Sequence, residues 1–347
     1  MNGENELADR VKAAFIDGTP LSIRGGGTKG FLGRRCEGVP FDVSGHSGIV
    51  DYDPKELVIT AKCGTTLEEI ERVLFESNQM LPFEPPKYGI SATLGGTIAC
   101  GLSGPRRPYA GSVRDHLLGC RIVNGKGDVL NFGGRVMKNV AGFDVSRLMA
   151  GAFGTLGLVL EASLKVLPKP AASLTLCREC GADDAISAMN DFSAKPFPVD
   201  GAAYVEGACH VRLSGSLQAV SEARTGTGWD LLDDADAFWE ALKEQHLPFF
   251  DTGRLWRIAS RPSSRLPELK GEWLIEWGGA QRWLKTDCGE DDIRHAAQSM
   301  GGHATLYRGE GDSFHPLQPA LLALHKRLKT AFDPEGIFNP GRLYPEF

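Results

Sequence analysis

Leu21-Ser22-Ile23-Arg24-Gly25-Gly26-Gly27-Thr28-Lys29-Gly30 is a short strand-like run that passes directly into a glycine loop. The spacing of Gly25, Gly27 and Gly30 formally matches G-x-G-x-x-G, the turn of a nicotinamide-binding Rossmann fold. That fold needs its last glycine to open an apolar helix. The next residues here are Phe31-Leu32-Gly33-Arg34-Arg35-Cys36, with another glycine, two arginines and no helical stripe. A P-loop is excluded as well, because no Lys-Ser or Lys-Thr comes after a glycine at the required spacing. A loop of small residues after a strand remains. Its exposed backbone N–H groups can form a concave nest for a pyrophosphate, with Arg24 and Lys29 adding positive charge. The same residues would also serve as an ordinary tight connection between strands, so other segments must decide.

Two further stretches share this character. Ser91-Ala92-Thr93-Leu94-Gly95-Gly96-Thr97-Ile98-Ala99-Cys100-Gly101-Leu102-Ser103-Gly104 is almost entirely small, and missing side chains let a planar ligand or a phosphate approach the backbone. Its hydroxyls at 91, 93, 97 and 103 offer donors to phosphate, ribityl or ring atoms, which a purely structural glycine corner would not require. The third stretch, Met137-Lys138-Asn139-Val140-Ala141-Gly142-Phe143-Asp144, leads to Gly154-Thr155-Leu156-Gly157-Leu158-Val159 and an alternating strand ending at Pro168.

Around these segments the pattern is mixed. Residues 6–16 read as a first helix, and Glu56 to Cys63 as a strand leading into Thr66-Leu67-Glu68-Glu69, a capping box that opens an amphipathic helix. Cys120 to Val123 and Asp128 to Phe132 flank Asn124-Gly125-Lys126-Gly127, a hairpin signal because Asn and Gly accept positive φ. Glycine and tryptophan divide the chain: residues 1–170 hold 26 of the 43 glycines, and all six tryptophans lie beyond, from Trp229 on. The join therefore falls near Pro168-Lys169-Pro170. Strands are expected at 173–177, 202–206, 209–213, 254–259, 272–277 and 303–307. Helices are expected at 183–192, 234–245, 291–300 and 317–330, the last stopped by Phe332-Asp333-Pro334-Glu335-Gly336. The fold class read from this is α+β, with a first domain over 1–170, a second α+β domain over 171–330, and a tail over 331–347.

A chain of 347 residues exceeds what one core usually organises, and 42% apolar with 24% charged residues is ordinary globular composition. The net charge of −6 argues against nucleic acid as a partner. The polar, acidic start MNGENELADR is unlike a secretory signal, and no apolar run approaches a membrane span, so a cytoplasmic protein is expected, at most peripheral at the inner face of the membrane through partners. The eight cysteines are scattered. Cys177 and Cys180 form a lone C-x-x-C without a second pair at zinc spacing, so no metal site is expected.

The order of the three glycine segments resembles the FAD-binding domain of the vanillyl-alcohol oxidase (PCMH) type over roughly residues 20–168. Within that superfamily the chain resembles the FAD-binding subunits of bacterial glycolate oxidases. The likeness is carried by Arg24 to Gly30, Thr93 through Gly104-Pro105-Arg106-Arg107, Gly111-Ser112-Val113-Arg114-Asp115, Lys138 to Asp144, and Phe338-Asn339-Pro340-Gly341-Arg342-Leu343. It implies a two-part FAD-binding domain, a second domain resembling the family's cap, and a tail that returns to the flavin domain. It also implies roles. Arg24, Gly25, Gly26, Gly27, Thr28, Lys29 and Gly30 would cradle the pyrophosphate. Thr93, Gly95, Gly96, Thr97, Ala99, Ser103 and Gly104 would line the isoalloxazine and ribityl side. Gly154, Gly157, Leu158 and Val159 would hold the adenine end, with Asn339 reaching the cofactor from the tail. Arg114 and Asp115 would form an internal pair. Many superfamily members tether flavin to a histidine at the first glycine loop; here that loop has none, so the FAD is expected to be noncovalent.

Oxidising a 2-hydroxy acid requires a base for the hydroxyl proton, a cation for the carboxylate and a hydride acceptor. The superfamily's catalytic members supply the base and a metal site from motifs such as H-x-G-D-G-N-x-H and E-H-G, which are missing here. His210, His303 and His315 are isolated and read as structural, so no catalytic residue is assigned. The resemblance then implies a complex in which a larger FAD-linked oxidase subunit oxidises glycolate or a similar acid to the 2-oxo acid. This chain would hold a second FAD and support electron transfer to a partner subunit, with an iron-sulfur subunit as a further partner. A stand-alone FAD oxidoreductase of the same fold (an alcohol oxidase or an NADPH-dependent cell-wall precursor reductase) and a flavin-silent scaffold are the alternatives.

Overall fold

In the first helix, Glu4–Asp17, Leu7, Ala8, Val11 and Ala14 are buried along one stripe, and Gly18 closes the helix at φ 64°. The same logic shapes Leu67–Glu76. The Thr66 side chain accepts from the Glu69 N–H at 3.2 Å, and Leu67, Ile70 and Leu74 are buried. Both elements appear in a computed structural model that describes residues 3–134, 144–251 and 253–347. Of the sequence segment 137–144, residues 137–143 lie outside the described residues.

The chain divides into two units. The first comprises Met1–Leu102, Ser112–Pro168 and Pro316–Phe347; the second comprises Ser103–Gly111 and Lys169–His315. The chain returns to the first unit at Pro316, ahead of the expected 331, because the helix Pro319–Phe332 belongs there. Its Lys329 ammonium donates to the Thr155 carbonyl at 2.9 Å.

The first unit holds an antiparallel five-stranded sheet in the order Ile49–Asp53, Val58–Lys62, Leu158–Lys165, Leu117–Val123, Val129–Gly133. The hairpin joining its last two sequence-adjacent strands is set by Asn124, whose Oδ1 accepts from the Lys126 and Asp128 N–H groups, both at 2.9 Å. A separate parallel pair joins Leu21–Arg24 to Val39–Asp42. One core packs Ile70, Leu74, Phe83, Leu94, Ile98 and Leu164 together. Another packs Leu7, Val11, Phe41, Leu160 and Phe338, so the tail is part of the core. Each such large apolar side chain contributes about 1.5–3 kcal/mol on burial.

The second unit is built on an eight-stranded sheet in the order Asp230–Leu231, Ala172–Glu179, Ala208–Gly215, Val199–Val205, Glu272–Glu276, Gln281–Lys285, Leu255–Ala259, His303–Arg308. The helix Ala182–Ala194 buries Ile186, Met189 and Phe192 in one core, and Glu290–Ser299 buries Ile293 and Ala297 in another. The segment Ser103–Gly111 belongs here because the Trp277 indole N–H donates to the Gly104 carbonyl at 3.0 Å and Arg106 pairs with Asp200 at 2.7 Å.

Candidate functional site

The first unit contains a cavity of about 380 Å³, within the usual range for small-molecule sites. Of the sequence-selected residues, Arg24 to Gly30, Thr93, Gly95, Gly96, Ala99, Gly154, Gly157, Leu158, Val159 and Asn339 line it. Three do not: Thr97, Ser103 and Gly104. Thr97 is fully buried inside the helix Leu94–Cys100, and its hydroxyl has no hydrogen-bond partner among the described residues. Ser103 and Gly104 belong to the second unit, where the Gly104 carbonyl is taken by Trp277.

The stretch 91–104, read as an open glycine corner, contains a capped helix. Thr93 is its N-cap, with Oγ1 accepting from the Gly96 N–H at 3.2 Å. The hydroxyls read as ligand donors are thus partly committed: Thr93 to the cap and Ser91 to the Gly26 carbonyl at 3.0 Å. Gly95 lets this helix sit on the end of the strand Val58–Lys62, since a Cβ there would lie 2.8 Å from the Cys63 Cβ.

The glycine loop is shaped by close approach. A Cβ on Gly26 would fall 1.5 Å from the Ser91 carbonyl oxygen, so no side chain fits, and Gly27 takes φ 70°. Lys29 is buried, and its ammonium donates to the Lys87 carbonyl at 3.2 Å while lying 5.7 Å from the centre of the Tyr88 ring. The loop is thereby pinned, and the Thr93 hydroxyl and the Arg24 guanidinium pack on Gly25 and Gly27, where an added Cβ would fall 2.5 Å from each.

The tail closes the cavity wall. Asn339 accepts from the Ile23 N–H through Oδ1 and donates to the Phe153 carbonyl through Nδ2, both at 2.7 Å. Its amide therefore stitches two walls of the cavity together, which is a different use from the cofactor contact expected of it. Asn339 is held in turn by a buried ion pair: Lys329 donates to Asp333 and to the Phe338 carbonyl, both at 2.7 Å, and Asp333 accepts from the Ile337 and Phe338 N–H groups. Burial pushes the Lys329 pKa down, and Asp333 opposes that shift.

Sequence reasoning gave no site role to the charged or thiol-bearing lining residues Arg35, Cys36, Cys63 and Arg342. Arg342 donates from Nη1 to the Arg34 carbonyl at 2.8 Å and from Nη2 to the Gly30 carbonyl at 3.1 Å, so the tail also grips the far end of the glycine loop. The only sequence signal was its place in the closing motif; a contact across some 300 positions has no local signature.

The donor chemistry suits an anionic diphosphate. Arg24, Lys29, Arg35 and Arg342 face one cavity whose lining includes no carboxylate. The guanidinium groups of Arg24 and Arg35 make no hydrogen bond or ion pair among the described residues, which leaves their forks for a ligand. No histidine is in the lining. The thiols there, Cys36, Cys63 and Cys100, are all pushed up by burial and so are poor nucleophiles at neutral pH.

The other singled-out residues lie elsewhere. Asp115 accepts from the N–H and the hydroxyl of Ser112 as part of a capping box. Cys177 and Cys180 are free thiols raised by burial. His210 stacks on Phe238 with ring centres 4.3 Å apart, and burial holds its pKa down. His315 bonds Gln298 through Nε2 at 3.0 Å, and its Nδ1 accepts from the Ala304 N–H at 3.4 Å. No group of three or more His, Cys, Asp or Glu able to hold a metal occurs among the described residues. No helix of the described residues is long and apolar enough to cross a membrane.

The chain is similar to known proteins over nearly its whole length. An FAD binding domain model matches residues 2–133, and a model for the C-terminal domain of FAD linked oxidases matches residues 315–343. The chain is 49% identical over 341 residues to the glycolate oxidase subunit GlcE of Escherichia coli strain K12, covering 98% of this chain and 97% of that one. It is 24% identical to a D-lactate dehydrogenase of Archaeoglobus fulgidus over 99% of this chain and 90% of that one. It is 34% identical to glycolate oxidase subunit GlcD of Bacillus subtilis strain 168 over 45% of this chain and 34% of that one. A solved alkyldihydroxyacetonephosphate synthase shares the fold, with a TM-score of 0.66 at 15% identity over 98% of this chain and 75% of that one. The α+β architecture, the cation-lined glycine cavity and these likenesses together show that the chain belongs to the glycolate oxidase GlcE family of FAD-linked oxidoreductases.

Proposed function

We propose that this chain is the FAD-binding subunit of a complex that oxidises glycolate, or a similar small 2-hydroxy acid, to the 2-oxo acid. The observation that carries the reading is the cavity: glycine-walled, faced by four cations with no carboxylate, and closed by the tail, in a chain 49% identical to GlcE. Arg24 and Arg35 would take the charge of the pyrophosphate, and Gly25, Gly26 and Gly27 would let it reach the backbone. Lys29, Arg342 and Asn339 would hold those walls in place. Thr28, Gly30, Thr93, Gly95, Gly96 and Ala99 would surround the cofactor on one side, and Gly154, Gly157, Leu158 and Val159 on the other.

When bound, FAD would supply this chain with a redox group able to take up and pass on electrons that the partner subunit removes from the acid. The sequence carries none of the paired-histidine motifs that serve the catalytic members as base and metal site, so substrate oxidation is assigned to a larger FAD-linked partner subunit. An iron-sulfur subunit would receive electrons, the complex lying in the cytoplasm or peripherally at the inner face of the membrane. Purification from the native cell tests this. The expected result is co-elution with a larger flavoprotein and an iron-sulfur protein, glycolate-dependent dye reduction by the complex, and none by this chain alone. Turnover of glycolate by the isolated chain would refute the division of labour.

A further inference from the structure

Proline at the first helical position and a run of good helix formers, Ala320-Leu321-Leu322-Ala323-Leu324, open the helix Pro319–Phe332 of the first unit. Two stripes of side chains run along it. Leu322, His325, Lys329 and Phe332 form the inner one. Lys329 is buried in its pair with Asp333, Phe332 meets the Phe132 ring edge-on with centres 6.4 Å apart, and His325 lies beside Phe347 at 5.9 Å. The helix is thus fixed to its unit by one side.

Leu321, Leu324, Leu328 and Ala331 form the second stripe, on the adjoining face. Leu321 is 48% exposed and Leu324 42%, while Leu328 is half-buried and Ala331 exposed. Steps of three, four and three residues are those of a heptad seam, in which these four side chains take the a, d, a and d positions. At 1.5 Å per residue the seam is about 15 Å long, close to three turns. Such a stripe is narrow. It fits the holes of one facing helix, whereas a helix lying on a lipid surface presents a broad apolar face.

Charge narrows the occupant further. The stretch from Ser313 to Phe332 contains no Asp or Glu, in a chain whose net charge is −6. Arg327 is exposed and takes the g position beside the seam, and the adjacent Lys326 is exposed as well. A two-fold pairing with a second copy of this helix would bring both Arg327 side chains onto one flank, with no carboxylate from either helix to separate them. The complement is a helix that carries carboxylates beside its apolar stripe.

We infer that the outer stripe of this helix is the docking seam for one acidic amphipathic helix of a partner subunit, the leucines entering between its side chains and Arg327 pairing with a carboxylate at its rim. This rests on the reading that the chain works within a complex, and adds where on the chain the partner is held.

Recovery of the tagged full chain from the native cell tests it, with the amount of partner subunit per tagged chain as the readout. Leu321→Glu combined with Leu324→Glu should lower that amount at least about tenfold, and Arg327→Glu about threefold, with FAD content and circular dichroism unchanged. Ala323→Glu, exposed on the helix away from the seam, should leave it as it is. Photo-crosslinking from benzoylphenylalanine placed at position 324 should label a partner segment that is apolar at 3-4 spacing and acidic beside it. Should the double variant lose its fold, the crosslink decides. The inference is overturned, with the complex left standing, if the folded double variant retains as much partner as the parent, or if the crosslink reaches a second copy of this chain or anything other than such a segment. Flotation of the isolated chain with phosphatidylglycerol–phosphatidylethanolamine vesicles, lost in the double variant, would assign the stripe to a lipid surface and overturn it too. A parent chain that recovers no partner overturns the reading of a complex, and this seam with it.

Discussion

Replacing Lys329 with Met removes a buried charge while keeping most of the side chain's apolar length, and its consequences can be worked out from the contacts. Three acceptors lose their donor: the Thr155 and Phe338 carbonyls and the Asp333 carboxylate, at 2.9, 2.7 and 2.7 Å. Asp333 is 1% exposed, so its charge cannot turn to water. Breaking one side of a buried pair costs about 3–5 kcal/mol, mostly from the charge left uncompensated. Two backbone N–H bonds to Asp333 survive, which places the expectation at the lower end, about 3 kcal/mol. Asp333→Asn in the Lys329→Met background removes the stranded charge, so the double variant should be about 2 kcal/mol more stable than the two single losses added together. Urea unfolding of the flavin-free protein is the assay, because a bound cofactor would mask the change by mass action. A loss below about 1 kcal/mol for Lys329→Met, or strict additivity in the double variant, would refute the view that this pair locks the tail.

Three other perturbations have outcomes set by the geometry. Gly26→Ala places a methyl 1.5 Å from the Ser91 carbonyl, so the loop must move; FAD affinity measured by flavin fluorescence should fall at least about thirtyfold while far-ultraviolet circular dichroism is preserved. Arg342→Ala frees the Gly30 and Arg34 carbonyls, and the FAD dissociation constant should rise about tenfold, with Arg342→Lys recovering part of the loss; an unchanged constant would show that the tail does not shape the loop. Burial holds the His210 pKa below its usual 6.5, so between the two values the unfolded chain binds more protons and stability rises with pH. Acidification through and below pH 6.5 should therefore destabilise the protein, and His210→Gln should flatten that part of the curve of unfolding free energy against pH.

What was legible in the sequence was set by local chemistry. The strand into the glycine loop, the Thr66 cap and the Asn124 hairpin each rest on contacts within a few residues, and each is found where the sequence placed it. The helix Leu94–Cys100 was hidden because two adjacent glycines lower helix propensity; it forms because Gly95 packs against Cys63, a tertiary contact. Thr97 was misread for the same reason, since a hydroxyl expected on an open loop is turned inside a helix. The strand Gln281–Lys285 and the helix Leu217–Thr225 went unread because their patterns are short and mixed with charge. Arg342 and the stitching role of Asn339 depend on the tail returning to strand Leu21–Arg24, which periodicity does not encode.

The central claim, that the cavity of the first unit holds one FAD without a covalent bond, is tested by titrating the flavin-free chain with FAD and then precipitating the loaded protein with acid. The account predicts saturation at about one FAD per chain and complete release of flavin into the acid supernatant. Failure to bind FAD, or flavin remaining with the precipitated polypeptide, would contradict it.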